Sequence, residues 1–250
     1  MPPSQIERLR EQGFVVVPGF VPADALRELN DVARKQLAAR ADPLEFEADL
    51  QYPGAPLSRT AQGGETVRRL LDVYGRDPVF ARWGKAPDLR GWMEAYFGEK
   101  VLMSRVHHNC LMTKHPRYGS LTNWHRDIRY WSFEREDLVS VWLALGEETV
   151  DNGALWLVPG SHRMVFEPDR FDSARFFRPD RADSAKIIAT AESPRLNPGD
   201  ALYFHCNTLH SAGRNLSDAV KFSLVFTYHG QSNAPKQGTR STSKAEVPLD

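Results

Sequence analysis

The stretch Asn123-Trp124-His125-Arg126-Asp127 sets an imidazole and a carboxylate two positions apart. Side chains alternate faces along an extended chain, so His125 and Asp127 point the same way with backbones ~7 Å apart. A pair at that spacing can take adjacent positions on one metal ion, and it can equally be a hydrogen-bonded surface pair. A second imidazole, His210, stands far downstream, after the tight turn Asn197-Pro198-Gly199-Asp200 and the strand-like run ALYFHC. Two histidines and one carboxylate on rigid strands form the facial donor set of non-heme iron(II) oxygenases, which leaves three metal positions open. Alone, His210 also suits a core imidazole bonded to backbone, so the chemistry rests on all three converging.

The residues after His210 extend the pattern. Residues 213–219, GRNLSDA, predict a hairpin turn joining 210–214 to 219–228. Pairing Arg214 with Ala219 sets His210 opposite Ser223 and Ala212 opposite Lys221. His210, Ser223 and Lys221 then share a face, with Lys221 one diagonal step, ~7–8 Å, from His210. A cation and a hydroxyl there could anchor the far carboxylate of a metal-bound dicarboxylate. Arg214 faces the same way about 13 Å along the strand and is the alternative cation. Lys221 lies between Val220 and Phe222 on an apolar strand, which speaks against a solvated edge lysine.

Positioning such a set requires strands, and the texture of the chain supplies them from about residue 100. VLMSRVHHNCLM, HRDIRYWSF, LVSVWLALG, ALWLVPG, KIIAT, ALYFHCN and VKFSLVFTYH alternate with turn residues and predict an all-β sandwich or closed double sheet. The first 99 residues predict mainly helical support after one early strand, Phe14–Val17, stopped by Pro18-Gly19. Helices are expected from Pro22, with Leu26, Leu29, Val32, Ala33 and Leu37 on one face, around Glu65–Tyr74, and around Pro87–Phe97 ending at Gly98. Residues 51–64 read as a loop, 160–183, carrying Phe166, Phe171, Phe176 and Phe177, as either a functional loop over an opening or a surface excursion, and 230–250 as a polar tail. The expectation is one domain over 1–250.

Composition narrows the class. The 250 residues carry 32 Lys+Arg against 32 Asp+Glu, so the basic excess that replaces phosphate counterions is missing and no nucleic-acid partner is expected. No apolar run approaches the roughly 20 residues of a membrane helix. The opening MPPSQIERLREQ lacks the apolar core of a signal peptide, and Cys110 and Cys206 form no CxxC, so a cytoplasmic protein with reduced thiols is expected.

The ordered motifs Gly13–Phe20 (GFVVVPGF), Trp124–Asp127 (WHRD), Trp142, Asn152–His162 (NGALWLVPGSH), Asn197–Phe204 (NPGDALYF) and His210–Gly213 (HSAG) span most of the chain. In them the sequence resembles the phytanoyl-CoA dioxygenase-like (PhyH-like) iron(II)/2-oxoglutarate oxygenases. The resemblance implies a mainly β fold, a double-stranded β-helix of jelly-roll or cupin-like type with N-terminal helices packed outside. It implies Fe(II) on His125, Asp127 and His210, 2-oxoglutarate as cosubstrate with O2, and Trp142 lining the cosubstrate pocket. Family members usually carry an arginine on the strand after the distal histidine; this chain has Lys221, a point charge without the bidentate fork. Halogenating relatives replace the metal carboxylate with a small residue, so Asp127 favours hydroxylation.

The expected activity is therefore hydroxylation of an unactivated C–H bond of a small-molecule metabolite, with release of succinate and CO2. The far carboxylate of 2-oxoglutarate is expected on Lys221 and Ser223, with Arg214 as the other cation, and Asn109 and Cys110 bordering that pocket. Continued alternation puts Arg129 and Trp131 on the metal-facing side; with Tyr130 and His108 they are candidate substrate contacts. The competing expectation is that Trp131 and Phe133 are core, the arginines are surface and the inward member of His107/His108 is an ordinary buried histidine. His162 is not expected to ligate metal, since the set is complete. Two other functions fit a barrel of this kind, a non-oxidative jelly-roll metalloenzyme (isomerase or hydrolase) and a non-catalytic ligand-binding barrel. The substrate itself and the oligomeric state are not written in the motifs.

Overall fold

The computed structural model describes residues 3–250. In chain order its strands are β1 (Phe14–Val17), β2 (Leu44–Phe46), β3 (Val67–Leu71), β4 (Val101–Lys114), β5 (Thr122–His125), β6 (Val139–Ala144), β7 (Leu155–Leu157), β8 (Ala201–His205), β9 (His210–Ala212), β10 (Lys221–Gly230) and β11 (Val247–Pro248). The helices are α1 (Pro3–Gln12), α2 (Ala23–Ala38), α3 (Glu47–Leu50), α4 (Val73–Arg76), α5 (Pro78–Gly84), α6 (Pro87–Phe97) and α7 (Ala182–Ile188). Eight strands form one antiparallel sheet in the order β1-β8-β6-β10-β4-β3-β2, with β11 also on β4; β5, β9 and β7 form a second. Side chains from both sheets line one cavity, so the sheets face each other across it as in a jelly roll.

Strand alternation decides what enters that cavity. On β10, Phe222, Leu224, Phe226 and Tyr228 turn outward into the main core, where Leu29 of α2, Phe80 and Trp83 of α5, and Leu89 and Trp92 of α6 cover them. Burying each such Phe or Leu stabilises by roughly 1.5–3 kcal/mol. The alternate residues, Lys221, Ser223 and Val225, turn inward, as does Trp142 between the outward-facing Val141 and Leu143 of β6. The early strand, the helix after Pro22 and the helix ended by Gly98 stand where the sequence predicts; Gly98 closes α6 in the left-handed conformation, φ +73°.

Several expectations are corrected. Residues 65–74 hold no long helix: Val67–Leu71 is a strand, with Leu70 opposite Leu111 on β4. Leucine and arginine favour helix intrinsically, but the long edge of β4 supplies backbone partners that outweigh so short a propensity. HRDIRYWSF is not a strand, because β5 stops at His125 and Asp127–Tyr130 forms a 3₁₀ turn. KIIAT lies in and just after α7, whose Ile187 and Ile188 pack beside Phe166, Phe171 and Phe177. The hairpin pairing 210–214 with 219–228 does not form either: β9 pairs with β5 and β7, while β10 pairs with β4 and β6 in the other sheet.

Candidate metal centre

His125 ends β5 and His210 begins β9, and the two are directly opposite each other in the ladder. Cross-strand neighbours have side chains about 5 Å apart, so pairing alone joins two imidazoles remote in sequence. Their ring centroids are 4.3 Å apart. Asp127 opens the 3₁₀ turn, held by the Ile128 N–H donating to the Cys206 carbonyl at 2.9 Å. Its Oδ1 lies 3.5 Å from Nε2 of His125 and 3.5 Å from Nε2 of His210. One donor atom from each of the three falls within 4.8 Å of the others, and all three residues are buried.

The imidazoles are preset for coordination. Nδ1–H of His125 donates to the Asn123 carbonyl at 2.8 Å, and Nδ1–H of His210 to the Thr208 carbonyl at 2.9 Å. That fixes the tautomer and leaves each Nε2 lone pair aimed at the shared centre. Both oxygens of Asp127 are buried without a hydrogen bond among the described residues. A carboxylate so placed is costly unless a cation neutralises it, and two imidazole nitrogens plus one carboxylate oxygen suit iron(II). The residues therefore fit the metal. Burial drives the His210 pKa down to about 4, keeping its ring neutral and metal-competent. Burial would raise the Asp127 carboxyl, but His108, His210 and His125 around it more than reverse this and hold it well below the usual carboxylate range.

The triad opens into a cavity of about 720 Å³, its mouth included. At one end stand the triad, His107, His108, Tyr130 and Tyr52; at the other, Trp142, Lys114 and Lys221. The chain matches the profile of the family described as Phytanoyl-CoA dioxygenase (PhyH) over residues 9–223. The chain belongs to that family. It is 28% identical over 247 residues to the ectoine dioxygenase of Halomonas elongata, covering 92% of this chain and 70% of that one. In fold it is similar to the S. alaskensis EctD structure with 2-oxoglutarate and 5-hydroxyectoine (TM-score 0.74, 23% identity, 94% of this chain and 78% of that). It is similar too to the non-heme α-ketoglutarate-dependent epimerase SnoN from nogalamycin biosynthesis (TM-score 0.76, 23% identity, 94% and 86%). As a PhyH-family protein the chain is an iron(II)- and 2-oxoglutarate-dependent dioxygenase, with O2 as co-reactant. No helix among the described residues is long and apolar enough to cross a membrane.

The other candidate residues of this family member fall into two groups. Trp142, Lys221, Tyr130 and His108 line the cavity. His108 places Nδ1 3.3 Å from Asp127 Oδ2 and 3.3 Å from Ser140 Oγ. It reaches there through a bulge, since β10 pairs Thr227 with Ser104 but the next residue, Phe226, with Asn109, so 105–108 loop out of the ladder. His107, at φ +67°, carries the strain of that excursion and stacks on Tyr130 at 3.6 Å. Both histidines therefore face the cavity, where regular alternation would admit one.

The rest lie off the cavity wall. Arg214 is exposed and donates to the Arg117 carbonyl at 2.7 Å. Asn109 accepts from the Tyr74 N–H at 2.8 Å and donates to Asp72 at 2.8 Å. Cys110 is fully buried, its thiol pushed up to about 11 by burial. Trp131 packs with Ile128 and Phe133 and donates to the Val106 carbonyl at 3.1 Å. Because the strand ends at His125, alternation does not carry Arg129 or Trp131 inward; Arg129 donates to the Ala174 carbonyl and lies 4.0 Å from the Phe176 ring centroid. Arg126 likewise donates to the carbonyls of Ser161 (2.6 Å) and Met164 (2.7 Å). These two arginines tie segment 160–183 down beside the triad, with Phe176 edge-on to His125 at 5.9 Å.

Sequence reasoning missed Lys114 and Glu148. Lys221 Nζ donates to Glu148 Oε2 at 2.7 Å, Ser223 Oγ to Glu148 Oε1 at 2.6 Å, and Trp142 Nε1 to the same oxygen at 2.8 Å. Arg68 pairs with Glu47 at 3.3 Å and Arg69 with Glu45, whereas Lys114 donates to the Gly213 carbonyl and makes no ion pair among the described residues. Burial, then the adjacent Lys221, hold the Lys114 ammonium well below the usual lysine range. A lysine closing the apolar run CLMTK was the available signal for Lys114; nothing separates Glu148 from Glu147 in the sequence.

Proposed function

We propose that the protein hydroxylates an unactivated C–H bond of a small-molecule metabolite, converting 2-oxoglutarate to succinate and CO2. The observation carrying this is the buried convergence of His125, Asp127 and His210 with the carboxylate retained. Iron bound there, with 2-oxoglutarate, supplies the oxidation, one oxygen atom of O2 entering succinate and the other the product hydroxyl.

The chain's own residues bind, orient and exclude water. His125, Asp127 and His210 would hold the metal from one side and leave the cavity side for ligands. The lysine end of the cavity receives the far carboxylate of 2-oxoglutarate. Charge supports this: Lys114 makes no ion pair among the described residues, and an incoming carboxylate would give its buried ammonium the partner it lacks. Tyr130, Tyr52 and the two neutral histidines form the wall for the substrate, a mix of aromatic faces and a few polar groups suited to a small molecule. Burial holds the His107 pKa well down and the His108 pKa at about 4, so each offers a neutral donor or acceptor rather than a charge. Segment 160–183, pinned by Arg126 and Arg129, keeps bulk water from the metal side.

Succinate formation by the iron-loaded protein, measured with candidate metabolites under O2, tests the reading. A product one oxygen heavier than the substrate, with matching succinate, is expected. A product of unchanged mass would move the protein to an epimerase-type outcome, and turnover without O2 and 2-oxoglutarate would make it a non-oxidative metalloenzyme.

A further inference from the structure

Glu148 is a fully buried carboxylate that no step above uses. Its backbone is fixed: its N–H donates to the Leu196 carbonyl at 2.8 Å, and the Leu196 N–H returns a bond at 3.1 Å. Both carboxylate oxygens are engaged, by Lys221 and Ser223, which the sequence nominates for the far carboxylate of 2-oxoglutarate, and by Trp142, which the family resemblance sets in the cosubstrate pocket. Lys221 also donates to Ser223 at 3.2 Å and sits 5.0 Å from the Trp142 ring centroid. Lys114 is its cross-strand partner on β4. The lysine end thus holds two ammonium groups and one internal carboxylate. A buried ion pair of this kind is often replaceable by apolar residues without loss of stability, so folding alone does not call for it.

We propose that Glu148 is a specificity-determining residue for the cosubstrate: it keeps Lys221, Ser223 and Trp142 for itself, so that Lys114 alone receives the far carboxylate of the oxoacid. This rests on the cosubstrate placement above. An incoming carboxylate at Lys221 meets the like charge of Glu148, whose fixed backbone and complete burial leave it nowhere to retreat. The end of the cavity therefore presents one net positive charge rather than two. The barrel holds 2-oxoglutarate less tightly than its two lysines would allow, and it selects an oxoacid by a single cation.

The test is calorimetric titration of 2-oxoglutarate, and of 2-oxobutyrate, which has the same chelating head without the far carboxylate, into Mn(II)-loaded protein without O2. Glu148→Gln, which keeps the shape and removes the charge, is expected to tighten 2-oxoglutarate roughly tenfold, since a second unpaired cation adds Coulomb attraction offset in part by lysine deprotonation. The affinity for 2-oxobutyrate should stay within about twofold, since it has no charge at that end. Ser223→Ala, a milder change that leaves the ion pair intact, should alter 2-oxoglutarate affinity by less than about twofold, because its hydroxyl serves Glu148; a direct charged hydrogen bond to the ligand would cost about tenfold or more. Unchanged or weaker 2-oxoglutarate binding in Glu148→Gln, or a tenfold loss in Ser223→Ala, overturns the role of Glu148 while leaving the cosubstrate in place. Failure of Mn(II)-loaded wild type to bind 2-oxoglutarate at all would overturn the cosubstrate placement itself.

Discussion

At the metal end of the cavity the protein leaves both oxygens of Asp127 without a hydrogen bond, whereas at the lysine end nearly every donor is already matched by Glu148. The metal end is organised by backbone: two carbonyls orient two imidazoles, and strand pairing sets them opposite each other. The lysine end is organised by side-chain charges that neutralise one another, with Lys114 left over. An orphaned buried carboxylate calls for a cation, and under the proposed cosubstrate placement the unmatched ammonium is the group that calls for an anion.

The largest effect expected from disturbing this contrast is at the metal end. Asp127→Ala should leave no measurable succinate formation and abolish the rise in Tm that Mn(II) gives the wild type; a retained rise would mean the ion sits elsewhere. At the other end, Lys114→Met should weaken 2-oxoglutarate binding by roughly 10–100-fold, the worth of one charged hydrogen bond, with Mn(II) affinity unchanged. Equal weakening of both would show that the ends are not independent. His108→Phe removes the imidazole beside Asp127 Oδ2 and should lower metal affinity by about tenfold, a typical effect of an outer partner, read by competition with a chelating dye. Smallest of all, Arg214→Ala should leave 2-oxoglutarate affinity and Tm nearly unchanged, within roughly 0.5 kcal/mol, because its guanidinium lies on the surface. A marked loss there would return the anchoring role to Arg214.

Much of the scaffold was legible where local chemistry speaks loudly. Phe14–Val17 reads as a strand because β-branched residues end at Pro18-Gly19, and α6 ends where Gly98 permits a left-handed residue. The segment Val67–Leu71 misled, because leucine and arginine carry helical propensity and only β4, which lies more than thirty positions downstream, offered the partner that made it a strand. The placement of Lys221 on the cavity wall illustrates the same divide from the other side. The hairpin that led to it does not exist, yet alternation along β10 turns Lys221 and Ser223 to the same interior face, whichever strand β10 pairs with.

What the sequence by itself determined is the inventory and the parity: which donor types exist, and which members of a strand share a face, since both are properties of one short stretch of chain. The donor types of His125, Asp127 and His210 belong to the inventory, and the shared face of Lys221 and Ser223 belongs to the parity. What only the tertiary structure decided is who is neutralised by whom. That β5 meets β9, that four residues loop out to bring His107 and His108 to the cavity, and that Glu148 rather than Glu147 closes on Lys221 all depend on contacts between remote segments. A single stretch carries no record of its partner, because charge pairing and burial are properties of two surfaces brought together.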